Sequence, residues 1–90
     1  MVIFLSLMKV IDTLRKKIEL RDWILNELEK YEEKFGLDSK EFAIKWQKGE
    51  IPEPDNHELL EEFLEWDALV EALEKIEEEL KEIEKRIKES

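Results

Sequence analysis

The sequence predicts an all-α fold, and three observations carry that expectation. The chain of 90 residues holds only two Gly and two Pro, too few breakers for the many tight turns of an all-β domain. Its 42 % hydrophobic content is too high for a disordered chain, even beside 44 % charged residues. Apolar residues also recur three and four apart over two long stretches, which is the period of a helix face. The arrangement expected is one domain over residues 1–90: two long antiparallel helices with a short intervening helix, a helical hairpin or bundle whose C-terminal helix is coiled-coil-like.

The first helix is expected over residues 8–35. Leu7, Ile11, Leu14, Ile18, Leu25, Leu28 and Phe35 follow steps of three, four and seven, and Ile24 and Tyr31 widen the stripe. Gly36 ends it, because glycine takes the left-handed conformation after a last turn that carries Lys34. Ahead of this helix, residues 1–7 form an apolar extension that reads "MVIFLSL". It is far shorter than the roughly 20 residues that cross a bilayer. It also lacks the basic leader and small-residue cleavage site of a signal peptide. Three readings stand for it: an extension of the helix, a flexible terminus with the true start at Met8, or an apolar arm that docks on a second copy.

A second helix is expected over residues 39–48. Asp38 or Ser39 offers the capping oxygen, Glu41 stands three residues after Asp38, and Phe42 and Trp46 share a face. Residues 49–56, "GEIPEPDN", form a stiff loop, since each proline removes an amide donor and holds its predecessor extended. Asp55 or Asn56 then caps a third helix over residues 57–88, which no Gly or Pro interrupts. Its later half carries the clearest signal in the chain: Leu69, Leu73, Ile76, Leu80, Ile83 and Ile87 alternate steps of four and three, the spacing of a coiled-coil seam.

Each seam has a polar interruption, Arg21 in the first helix and Glu62 in the third; the match of signs suggests that the helices pair, and the register decides whether Arg21 reaches Glu62. Lys9 to Arg21 holds five bases and two acids, whereas His57 to Ser90 holds thirteen acids and five bases, so charge also favours these helices as neighbours. Each exposed pair is worth under about 1 kcal/mol. Burying a Leu, Ile or Phe contributes roughly 1.5 to 3 kcal/mol, so burial holds the fold.

That seam outruns what a short second helix covers, so either the first helix or another subunit must shelter Leu73, Ile76, Leu80, Ile83 and Ile87. In a parallel homodimer Glu77, Glu79 and Glu84 would repel one another with only Arg86 opposing, which favours an antiparallel or a basic partner. Trp46 and Trp66 read as core. Trp23 lies off the seam, and an exposed Trp marks a docking patch.

The overall balance is 25 acids against 15 bases, a formal net charge of −10. That field repels phosphate backbones, so direct binding to nucleic acid is not expected. With no cysteine there is neither a disulfide framework nor a thiolate metal site, and the cytoplasm is the simplest address. Heavy use of Glu and Lys beside one Gln and two Asn matches the composition of proteins that work at high temperature.

Three constellations bear on chemistry. Glu61, Glu62 and Glu65 in "EEFLE" lie within about one helical turn and have the spacing to share a hard cation. That run resembles half of the magnesium-binding signature of the MazG-like all-α nucleotide pyrophosphohydrolases. Those enzymes need a later E-x-x-D as well. Here the spacing occurs only in "ELRD", Glu19 to Asp22, which comes earlier in the chain. His57 and Glu61 are placed to ligate zinc at two points, which does not make a site. The hydroxyls have no second histidine to activate them. No catalytic, cofactor or metal site is expected, and the pyrophosphohydrolase is the alternative.

The stretch Tyr31 to Leu73 resembles a group of small acidic archaeal and cyanobacterial proteins regarded as antitoxin-like partners in toxin and antitoxin pairs. Their pattern "KYGMSSEEFxxxW…G…D…FxEWxALYE" is met by Phe35, Gly36, Phe42, Trp46, Gly49, Phe63, Trp66 and Leu69. Leu37 stands for the usual Met and Val70 for the usual Tyr. The resemblance implies a non-enzymatic binding role, an acidic helical protein that clasps a basic toxin-like protein. The continuous seam adds self-association to the expected basic protein partner, and no membrane partner is expected.

Overall fold

The computed structural model describes residues 2–89, and the side chains from Ser6 onward. Three α-helices follow one another: α1 (Val2–Phe35), α2 (Ser39–Gln47) and α3 (His57–Glu89). The all-α class holds, and no strand occurs among the described residues. α1 starts at Val2 rather than at residue 8. No residue there breaks a helix, and a helix already nucleated extends at one hydrogen bond per residue fixed.

The punctuation is where the residue types demand it. Gly36 and Gly49 have φ of 65° and 75°, the left-handed region that a side chain resists. Between them Asp38, not Ser39, caps α2, accepting from the amides of Lys40 and Glu41 at 3.1 and 3.2 Å. At α3 the cap is Asn56, whose Oδ1 accepts from the Leu59 amide at 3.2 Å.

α3 packs against both other helices. Across the α1–α3 seam Lys17 meets Glu79, Tyr31 meets Glu65, and Lys34 meets Glu62. These pairings leave Arg21 away from Glu62. Glu62 is taken by Lys34 at 2.5 Å, about 20 Å along α1 from Arg21, and Arg21 instead lies 3.5 Å from its neighbour Asp22. Helical period alone does not set the axial offset of two helices.

The molecule is a rod of 59 × 21 × 18 Å with a radius of gyration of 17.2 Å, against about 12 Å for a globular chain of this length. Its two ends differ. At one end, the head, α2 lies against the other two helices and completes a core of Ile24, Leu28, Phe42, Ala43, Trp66, Leu69, Val70, Leu73 and Ile76. At the other end lies the stem, α1 residues 6–23 and α3 residues 75–89, of which Ile76 reaches into the head core and Leu80 packs against it.

The head is held by stacked rings. Phe42 and Trp66 lie 3.9 Å apart and nearly parallel. Tyr31 and Phe35 stack on the same indole, and Phe63 meets Phe35 and Phe42 edge-on. The Trp66 Nε1–H donates to the buried Ser39 hydroxyl at 2.9 Å, which satisfies the polar edge of the most central side chain. Glu32 accepts from the Ser39 amide at 2.8 Å and ties the end of α1 to the start of α2.

Candidate interaction surfaces

The six residues singled out for an interface fall into two groups. Leu73 and Ile76 belong to the head core, covered by the chain itself. Leu80 and Ile83 are half-buried, and Ile87 is 54 % exposed. The boundary is where α2 stops covering α3. Trp23 is 52 % exposed on the outer side of α1, above a shallow depression formed with Asn26, Glu27 and Lys30.

On α1 the same change occurs along one stripe. Leu28 is 4 % exposed, while Leu7 and Ile11, earlier on the same seven-residue repeat, are exposed. A 3.5-residue period turns about 20° per heptad around a straight α-helix, so a stripe that faces the core at Leu28 has swung about 60° sideways three heptads earlier. Met8, Val10 and Leu20 add further apolar surface to the stem.

Between α1 and α3 the stem carries an open trough of about 330 Å³, lined by Leu14, Ile18, Arg21, Leu80, Ile83 and Ile87 with Glu84 and Lys88 at the rim. Its wall is mostly carbon. The Nε of Arg21 is buried there without a hydrogen-bond partner.

The three carboxylates of "EEFLE" go separate ways. Glu61 lies 3.0 Å from His57, Glu62 binds Lys34, and Glu65 accepts from the Tyr31 hydroxyl at 2.8 Å. Burial and the Glu65 carboxylate beside it push the Tyr31 phenol well above its usual pKa. The "ELRD" stretch lies about 20 Å up the rod from Glu62. Among the described residues no three His, Asp or Glu side chains are grouped to hold a metal ion.

Charge is divided along the rod as well. Residues 24–74 hold sixteen acids and five bases, whereas 6–23 and 75–89 together hold nine acids and ten bases. The head therefore carries −11 and the stem +1. No described helix is long and apolar enough to cross a membrane.

Sequence reasoning missed the work of Ser39, Tyr31 and Lys17. Ser39 was visible only as a rival cap, although a serine beside a cap and 27 residues before a tryptophan carries no local sign of their contact. The pairing of Lys17 with Glu79 was signalled only as a basic helix set against an acidic one. No family model matches the chain, and no curated protein or solved structure matches it.

Proposed function

We propose that this chain is a non-enzymatic interaction protein. It is an antiparallel helical hairpin whose acidic head binds a basic partner protein, in the manner of an antitoxin, and whose apolar stem binds another copy. The observation that carries this reading is the division of the rod: an acidic head that holds the buried core and exposes Leu25, Ile44 and Leu64, and a neutral stem that exposes more apolar surface at Leu7, Met8, Val10, Ile11, Leu20 and Trp23. A field of −11 over one end attracts a basic partner from a distance and fixes its orientation more than it adds affinity. The ring stack behind that face keeps it rigid, so a partner loses little entropy in ordering it. Resemblance of Tyr31 to Leu73 to the antitoxin-like proteins covers this same head.

The test is copurification from native extract at low and high salt. A basic protein recovered at about 50 mM salt and released at about 500 mM, where screening is strong, is the expected result. Recovery of no partner under gentle conditions contradicts the heterologous role.

The alternative is a MazG-like, magnesium-dependent nucleoside triphosphate pyrophosphohydrolase using Glu61, Glu62 and Glu65. The separate partners of these three carboxylates weigh against it. Hydrolysis of nucleoside triphosphates in the presence of magnesium, lost in Glu62→Gln, would favour it over the binding role.

A further inference from the structure

The trough between α1 and α3 is closed only in the head. α2 has nine residues, about 13 Å of helix, beside neighbours of 34 and 33 residues that extend about 50 Å. Past the end of α2 the same trough continues, and none of the described side chains outside α1 and α3 lies over it. Its walls are Leu14, Ile18 and Arg21 on one side and Leu80 and Ile83 on the other. Leu7 and Ile11 stand exposed beside it.

We propose that a second copy of this chain fills the trough. Its stem takes the place that α2 takes in the head, so that two stems form a four-helix bundle with the two heads at opposite ends. This rests on the reading of the chain as an interaction protein and specifies which surface binds the second copy and in which direction.

Charge chooses both the occupant and the direction. The stem is nearly neutral, so two stems meet without net repulsion, and their α1 segments, with five bases and three acids, face α3 segments with five bases and six acids. Two heads of −11 repel, and they do so most when side by side within the screening length of about 8 Å. Heads at opposite ends are far beyond that distance. A strongly basic foreign partner, by contrast, has its attraction at the head and none at the stem.

Size and symmetry agree. The stem face is about 27 Å long and up to 21 Å across, on the order of 600 Å² in projection. The ridges of its side chains bring it toward the roughly 800 Å² that each partner contributes to a standard interface. A two-fold interface requires a patch complementary to itself. Here an apolar ridge, Leu7 and Ile11, runs beside an apolar trough. With the axis near Leu14, each ridge enters the trough of the other copy near Ile18 and Arg21.

Sedimentation equilibrium from about 1 to 100 µM tests the stoichiometry, and a dimer is expected. Ile18→Glu with Ile83→Glu, two changes in the trough away from the head core, should weaken the dimer at least 100-fold while the fluorescence of buried Trp66 stays native. Should that variant fail to fold, spin labels on His57→Cys decide. The chain has no other cysteine, and His57 is exposed at the start of α3. Label separation on the order of 75 Å is expected from the rise per residue. A separation near or below about 30 Å, a monomer throughout, an oligomer larger than two, or a double variant that dimerises as the parent does would each overturn the proposal. Binding of an oligolysine peptide to the same double variant keeps the two readings apart. Peptide binding without a wild-type dimer sinks this inference and self-association through the stem but leaves the basic-partner role, and a dimer that ignores the peptide sinks only the basic-partner role.

Discussion

Ser39 and Trp66 form the contact on which the head core turns. Ser39→Ala leaves the Trp66 indole N–H buried without a partner, a cost of about 1–3 kcal/mol. For a chain of this size the melting temperature should fall by about 5–20 °C. A thermal melt checks it, and an unchanged midpoint would mean that the indole finds another acceptor. Tyr31 gives a second test, because it is the only tyrosine and its absorbance reports its own ionisation. Burial and Glu65 hold its folded pKa above the unfolded value of about 10. Its contribution to stability is therefore whole below about pH 10 and is lost as pH rises through the folded value. Phenolate absorbance should appear only well above pH 10 while the protein is native, and Tyr31→Phe should flatten the alkaline loss of stability. A midpoint at 10 in the native protein would deny the burial.

At the scale of elements, the three helices were legible in the sequence because their signals are local. Gly36 and Gly49 need φ that other residues resist, Asp38 and Asn56 carry capping oxygens, and the prolines at 52 and 54 bar a helix. How α1 lies against α3 was not legible. Arg21 and Glu62 occupy equivalent slots on their own helices, yet the closing loop and the ring stack set an offset that gives Glu62 to Lys34. The Lys17–Glu79 pair marks that offset in the stem. Its hydrogen bond from Lys17 keeps the Glu79 carboxyl below the ordinary range. The pair therefore stabilises above the unfolded carboxyl value of about 4.3, and this is lost as pH falls through the lower folded value. Glu79→Gln should be less stable than the parent at about pH 7, and by a smaller margin at about pH 3, in chemical unfolding. An equal deficit at both pH values would show that the pair is not the cause.

For the whole molecule, burial and charge divide close together, near Ile24 on α1 and Leu73 to Ile76 on α3. The sequence showed a continuous seam on each long helix and an acidic excess, but a seam that turns about 20° per heptad does not declare how much of its length a single chain can cover. Only the nine-residue length of α2, placed in space, shows that it covers the head alone. Truncating core side chains should accordingly have unequal effects: Ile24→Ala costs about 2–5 kcal/mol, whereas Leu7→Ala costs almost nothing in dilute monomer. Urea unfolding of both at about 1 µM compares them, and similar losses would contradict the division. The composition also leads us to propose a high working temperature, and a melting point above about 65 °C is the expected result against the usual mesophile range.

Residue-resolved hydrogen exchange along α3, measured at two protein concentrations about 100-fold apart, tests the division of the rod most directly. Amides from Trp66 to Leu73 should be protected equally at both, while those around Leu80 and Ile83 should exchange quickly when dilute and slow as concentration rises. Uniform protection along α3 that ignores concentration would mean that a lone chain covers its own stem.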